Sequence, residues 1–373
     1  MSGFLYRFFP PPKYLDFPVV GLDVSDRSIK YVELKETRDG LRLKRYGEKN
    51  LPAGTIVAGE IKKPDTLSAN LAALLKPLGL HHLAAALPEE RNYISVMPLP
   101  EAEKEQIREA VELGLPEKIP LPAGEAIFDF ELLRPTAEIV MEAKISEAKP
   151  KHQDAIVYAF PRAAVQSYLG VYLNAGLAPV SFALETAALS RALISDFQKH
   201  LPMILVDFGR TRTTFVIVAG GLVRFSSTVN VAGESLDQAL AKALQSSLVE
   251  AEKIKKENGL LHSPDNRRVY EALMPVVSAV ADEIERHILF WNTHAEHVHG
   301  QPPQIDQVIL SGGDSSLIGF REYLELKLGL KVELGNPWIN IAPFEKYIPE
   351  LTFNESMAFS VAIGLSLMAL KED

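Results

Sequence analysis

The chain contains no cysteine in 373 residues. Disulfides, thiolate metal sites and cysteine nucleophiles are therefore excluded together, and a reducing compartment fits that usage. Long apolar runs are missing too: no stretch reaches the ~18 uninterrupted apolar residues that a membrane-spanning helix needs. The opening "MSGFLYRFFPPPKYLDF" (1–17) lacks the long apolar region and small-residue cleavage site of a signal peptide. It reads as an N-terminal arm, either packed on its own domain or laid through Phe4, Leu5, Phe8 and Phe9 on a membrane surface or in a partner's groove. Positive charge is also in deficit, the formal net charge being −9. A nucleic-acid binder gains affinity by releasing counterions from phosphate through a basic field, so that class is disfavoured.

What remains is material for packed cores, 47% hydrophobic and 23% charged. The length exceeds what one core usually supports, so two domains are expected. A repeat supports this. "VVGLDVSDRSIKYVEL" (19–34) runs from an apolar strand into an acidic turn and then an alternating strand, and "ILVDFGRTRTTFVIVAGG" (204–221) does the same. Aligning Asp23 on Asp207 sets Tyr31 on Phe215 and Val32 on Val216, and each copy leads to a third strand-like run, 41–49 and 222–231. This is the signature of a duplicated three-stranded meander, with two similar α/β domains facing a cleft.

Between the copies, strands and helices alternate as in mixed α/β domains. Helices are expected over 66–80, 101–115 and 163–177, strands over 82–87 and in "AIFDFELLRP", "IVMEAKISEA" and "DAIVYAFP", and a solvated hairpin tip over 146–154. In the second half, long helices are expected over 235–260 and 269–294, then a strand, a Gly-Gly turn and a helix in "QVILSGGDSSLIGFREYLELKLGL", and a small-residue helix at the close. The resulting division is an arm over 1–17, a first domain over 18–87 and 155–196 with an inserted subdomain over 88–154, and a second domain over 197–234 and 300–373 with a helical subdomain over 235–299.

Acids at paired strand ends, Asp23 and Asp207, would converge across such a cleft and hold a divalent cation through its waters. The turns 25–28 and 209–213 offer hydroxyls and backbone N–H groups, the donors a phosphate chain requires. Gly312 and Gly313, at a strand-to-helix turn, suit close approach to phosphate or ribose. Taken singly, each is an ordinary tight turn; their order is what carries information. A rival cluster, His287, His294, His297 and His299, puts two histidines at i and i+3, but no acid or cysteine completes a metal set, and a polar helix end favoured by the helix dipole accounts for it better.

In this order the motifs resemble the actin, Hsp70 and sugar-kinase superfold. "VVGLDVSDRS" is similar to its first phosphate loop, "ILVDFGRTRT" to its second and "VILSGG" to its adenosine loop. "LETAALSRAL" (184–193) and "AFSVAIGLSL" (358–367) resemble its connecting helices. Within the superfold, "LPAGTIVAGEI", "NAGLAPVSFALETAAL", "EAEKIKK" and "GNPW" resemble the PilM family of type IV pilus assembly proteins, relatives of the cell-division protein FtsA, from Val19 onward. The resemblance implies two actin-like (ribonuclease H-like) domains and bound ATP with Mg²⁺ between Asp23 and Asp207. It implies phosphate contacts from Ser25, Ser28, Gly209, Thr211 and Thr213, and a metal- or water-ordering role for Glu185. Adenosine would meet Glu252, Lys255 and Lys256, with Gly312 and Gly313 approaching from below.

The same resemblance implies an adaptor with weak or no ATPase activity at the cytoplasmic face of the inner membrane, peripheral to it through partners. Its partner would be the N-terminal cytoplasmic tail of a PilN-like protein, held in a groove between the first domain and the 88–154 insert, within a larger pilus or type II secretion platform and its ATPases. An active ATPase, a small-molecule phosphotransferase and an FtsA-like cell-division protein are the alternatives. Against them, the insert offers no evident catalytic acid beyond Asp129, the chain leaves no length for a peptide-binding domain, and "LSLMALKED" lacks a basic amphipathic face. Two positions depart from the family pattern. Ser25 stands where a glycine is usual, and Arg210 and Arg212 stand where small residues are common; arginine can clamp a phosphate or fill its pocket.

Overall fold

The computed structural model describes residues 18–100, 104–122, 124–133, 152–294 and 304–370. The N-terminal arm, the "IVMEAKISEA" strand, most of the hairpin tip, His297, His299 and the His294 side chain lie outside the described residues.

The first half begins as an antiparallel meander of β1 (Val19–Val24), β2 (Ser28–Thr37) and β3 (Gly40–Asn50). A small hairpin, β4 (Ile56–Val57) with β5 (Glu60–Ile61), precedes α1 (Pro64–Leu75). Pro64 sits in the first turn of α1, where its missing N–H is not needed. A 3₁₀ turn then ends on Gly79 in the left-handed region, and β6 (His82–Leu87) returns to the sheet. The insert follows as β7 (Tyr93–Pro100), α2 (Lys104–Lys118), β8 (Ala126–Leu132) and β9 (His152–Pro161), the strands ordered β7-β9-β8. The boundary expected at 154 falls inside β9, whose pairing with β8 continues to Pro161. Next come α3 (Arg162–Asn174), β10 (Ala178–Leu184) and α4 (Glu185–Leu193).

The second half repeats the meander as β11 (Met203–Phe208), β12 (Thr213–Ala219) and β13 (Leu222–Val229). Helices α5 (Gly233–Leu244), α6 (Leu248–Asn258) and α7 (Arg267–His294) follow, then β14 (Gln307–Ser311), α8 (Phe320–Leu328), β15 (Lys331–Leu334), α9 (Phe353–Met357) and α10 (Ser360–Ala369). Two expectations need correction. The single helix over 235–260 is two, broken where Gln245 turns left-handed at φ 56° and Ser247 recaps α6 by accepting from the Glu250 N–H at 3.2 Å. That Ser-x-x-Glu spacing is a capping signal within the sequence itself. The Gly312–Gly313 turn does not open directly into a helix either, because α8 starts only at Phe320.

The duplication extends beyond the meander. One sheet runs β3-β2-β1-β6-β10 and the other β13-β12-β11-β14-β15, each an antiparallel meander joined to two parallel strands. The helices α4 and α10 lie between the sheets in a shared core with Val32, Leu205, Val216 and Ile309. That packing depends on bare backbone. A Cβ on Gly364 would come within 1.8 Å of the Ala188 carbonyl oxygen in α4, and one on Gly21 within 2.1 Å of that of Ala362 in α10. The outer faces build separate cores, with Val20, Leu22 and Val24 against α1 and α3, and Ile204, Val206 and Phe208 against α5, α7 and α8. The insert has its own small core around Met97, Val111 and Val157.

Candidate functional site

Strand alternation decides where the two acids point. Val20, Leu22 and Val24 face one outer core and Ile204, Val206 and Phe208 the other, so Asp23 and Asp207, one residue out of phase, face inward to the space between the domains. Their registers match: Asp23 pairs with Lys30 and Asp207 with Thr214, each seven positions further on. Each acid feels the other domain. Burial pushes Asp207 to about 6, helped by the charge of Asp23 and opposed by Arg212 and Lys30. Burial also raises Asp23, against the pull of Lys30 and Arg212. Neither carboxylate has a hydrogen-bond partner among the described residues.

Two inward, unpartnered carboxylates, both raised by burial and one of them raised further by the other, are what a hydrated divalent cation would relieve. Among the described residues no group of three or more ligating side chains forms a full protein cage. Such a donor set would suit a water-borne divalent cation between Asp23 and Asp207 better than a metal bound by protein alone.

The first turn is tight. The Ser25 N–H donates to the Ser28 carbonyl at 2.9 Å, and the Ser25 hydroxyl lies 3.3 Å from that of Ser28, so the side chain in the usual glycine position folds back into its own turn. Lys30 donates to the Ser28 hydroxyl at 2.6 Å and lies 3.4 Å from Glu48, adding a cation to the first turn. Sequence reading passed over Lys30, although hairpin register alone sets it opposite Asp23. In the second turn the Gly209 N–H donates to the Arg212 carbonyl at 3.1 Å. The first turn of α5 is bonded onto it, Gly233 N–H to Gly209 and Glu234 N–H to Arg210. Thr211 stays partly exposed there, whereas Thr213 is fully buried and gives its hydroxyl to the Val231 carbonyl. Gly312, at φ +91°, passes under Asp207; an added Cβ would reach its Oδ1 at 2.6 Å. Gly313 beside it is unhindered, its nearest neighbour being Ala358 at 3.6 Å.

The two arginines act across the cleft. Arg212 gives Nη2 to both oxygens of Glu185, at 2.9 and 2.8 Å, and Nη1 to Glu90 at 2.7 Å, with Asp26 at 3.9 Å. It therefore ties the second turn to the start of α4, to the root of the insert and to the first turn. Burial raises Glu185, and the Arg212 guanidinium, whose Nη2 donates to both of its oxygens, opposes that rise. Arg27 meets Glu234 at 3.0 Å as a second link between the halves, and Arg210 reaches the same carboxylate at 3.4 Å.

The expected adenosine residues divide. Lys255 is buried in contact with Asp314 at 2.7 Å and Asp237 at 2.8 Å, so its charge is committed within the protein. Glu252 and Lys256 pair with each other at 2.7 Å on the open side of α6, and Arg210 lies near enough to help lower Glu252. Asp314, next to the Gly-Gly turn, was not singled out from the sequence, and nothing local marked it. His287 is buried, with its ring on Phe215 at 4.8 Å and its Nδ1 2.6 Å from the Glu283 carbonyl, which suits core packing. Asp129 sits exposed in β8, opposite Tyr158.

The family model of the type IV pilus assembly protein PilM matches residues 21–370. A solved PilM–PilN type IV pilus biogenesis complex superposes with a TM-score of 0.76 at 23% identity, over 95% of this chain and 99% of that one. MreB5 of Spiroplasma citri, bound to ADP, gives 0.53 at 12% identity over 94% of this chain and 96% of its own. EutJ from Carboxydothermus hydrogenoformans gives 0.54 at 17%, over 96% and 90%. These likenesses establish an actin-like fold. Among curated proteins, FtsA of Neisseria meningitidis is 26% identical over 47% of this chain, and FtsA of Bacillus subtilis 20% over 64%. The chain spans 46% and 58% of the length of those two relatives. Among the described residues no helix is long and apolar enough to cross a membrane.

Proposed function

Because the chain belongs to the PilM family of type IV pilus assembly proteins, we propose that it is an ATP-binding adaptor of a pilus or related secretion platform, its cleft holding Mg²⁺ and nucleotide while its first half engages a PilN-like tail. The observation that carries the nucleotide reading is the facing pair Asp23 and Asp207, unpartnered at the ends of duplicated central strands. Asp23 and Asp207 would hold the hydrated metal. Ser28, Lys30, Gly209 and Thr211 would meet the phosphates, and the Gly312 backbone would lie beneath them. The metal, when bound, supplies charge neutralisation of the phosphates.

Binding without rapid turnover is the better reading of Glu185. Both of its oxygens are engaged by Arg212, so the group best placed to order an attacking water is tied up in an ion pair. On the partner side, the likeness to a solved PilM–PilN complex supports a PilN-like partner; its tail would lie in a groove between the insert and the adjoining first domain. In this scheme the protein lies at the cytoplasmic face of the membrane through that partner.

Calorimetric titration with Mg²⁺ and ATP, with phosphate release followed in parallel, tests the reading. Saturable binding that Asp207→Ala abolishes, with little phosphate released, is expected. Rapid release would make the protein a working ATPase, and absence of binding would leave it a scaffold for its partner alone.

A further inference from the structure

Beside the nucleotide cleft, where the root of the insert meets the second domain, a cavity of about 320 Å³ is walled on one side by Glu89, Glu90 and Asn92 and on the other by residues 225–228 of β13. Its polar wall is held in place. Asn92 donates Nδ2 to Glu89 Oε1 at 2.5 Å, Ser226 bonds to the same oxygen from the facing domain, and Arg212 fixes Glu90 through Oε1.

The second oxygens are left over. Glu89 Oε2, Glu90 Oε2 and Asn92 Oδ1 are buried without a hydrogen-bond partner. All three are acceptors, two belong to carboxylates, and Glu89 is only 6% exposed. Thr186 stands beside Glu89 and its hydroxyl helps hold that carboxyl down, but it is a neutral donor and brings no charge. Buried acceptors without donors cost free energy, the more so on carboxylates. The Arg212 guanidinium that fixes Glu90 is already shared with Glu185. Ile94 and Phe225 complete the lining with apolar surface.

We propose that this cavity binds a cationic nitrogen donor, an ammonium or guanidinium group on a short apolar stem, with the nitrogen among Glu89, Glu90 and Asn92 and the stem against Ile94 and Phe225. Charge selects a cation over a neutral donor, and the set of acceptors selects a group with several N–H bonds. Burial pushes the Glu89 carboxyl up to about 7, and an arriving cation would lower it. The cation can come from a free amine or from a basic side chain of a partner. The inference does not depend on nucleotide, so it stands or falls separately from the proposed cleft activity.

The test is a thermal-shift titration of the full chain without nucleotide. The probes are agmatine and N-acetyl-arginine methylamide, each against NaCl of matched ionic strength. A saturable rise in melting temperature is expected, with affinity at least about tenfold weaker in Glu89→Gln, where one charge-assisted contact is lost. Stronger binding of the capped arginine assigns the site to a partner's side chain, and stronger binding of agmatine assigns it to a free amine; either supports the proposal. No saturable shift beyond NaCl, an equal shift in Glu89→Gln, or a shift with Ca²⁺ but with neither nitrogen probe would overturn it.

Discussion

Arg212 donates Nη2 to both carboxylate oxygens of Glu185, at 2.9 and 2.8 Å, across the cleft that separates the two domains. Its side chain is 13% exposed and that of Glu185 11%, so the pair is largely withdrawn from water. A buried ion pair is a poor guide to net stability, but breaking one leaves an uncompensated charge.

Arg212→Met should therefore be destabilising by about 3 to 5 kcal/mol, since Glu185 and Glu90 both lose their counterion. The double variant Arg212→Met with Glu185→Gln should recover a sizeable part. Urea unfolding of the four proteins of this cycle measures the coupling; strict additivity would show that the contact carries none.

The state of Asp207 predicts a pH dependence for the proposed metal–nucleotide binding. Its carboxyl is held up at about 6 and must be ionised to hold Mg²⁺, so affinity is full above that value and falls as pH drops through it. Between pH 7.5 and 5.5 the loss should be roughly fourfold, from the ionised fraction alone. Titrations at the two pH values check this, and Asp207→Asn should bind weakly at both.

Glu89 acts on stability. Its carboxyl, about 7 in the folded protein against 4.5 ordinarily, is raised by burial and by Glu90 while Ser226, Thr186 and Arg212 oppose. A raised acid favours its neutral form, so the contribution is fully present below 4.5 and is lost as pH rises towards 7. Glu89→Gln should remove this slope and gain up to roughly 3 kcal/mol over the wild type at pH 8. Denaturant midpoints from pH 4 to 8 give the answer, and parallel curves for the two proteins would refute it.

Two lysines one position apart on α6 should behave in opposite ways. Lys255→Met strands Asp237 and Asp314 in the interior and should cost about 3 to 5 kcal/mol. Lys256→Ala breaks only an exposed pair with Glu252 and should cost no more than about 0.5 kcal/mol. Thermal melts of the two variants suffice to distinguish a structural Lys255 from a solvated one.

Gly364→Ala places a methyl group within 1.8 Å of the Ala188 carbonyl oxygen, a clash that rotamers cannot relieve because the obstacle is backbone. It should cost about 3 kcal/mol or more by forcing α4 and α10 apart. Loss of the cooperative melt, or its separation into two transitions, would show that these helices join the domains.

Much of this is legible in the sequence. The acid–turn–strand repeat marked Asp23 and Asp207 because strand alternation is a local property with period two, and both hairpins turn in the same register. β6 appears at 82–87 as read, since an apolar run between turn residues has few alternatives. The break at Gln245 was missed because helix-forming residues flank it on both sides, and the Ser247 cap was the weaker cue. Asp314 and Glu90 could not have been chosen, for each gains its meaning from a residue far away in the chain.

By itself the sequence determined the duplicated α/β plan, the inward acids and the family, because these rest on patterns repeated over short, contiguous stretches. Tertiary structure alone decided what the unusual side chains do. Arg212 reaches Glu185 and Glu90, Lys255 turns inward to Asp237 and Asp314, and Glu89 meets Ser226 from the other domain. Charge and hydrogen bonding act through distances in space, and residues far apart in the chain become neighbours only when the two sheets close on α4 and α10.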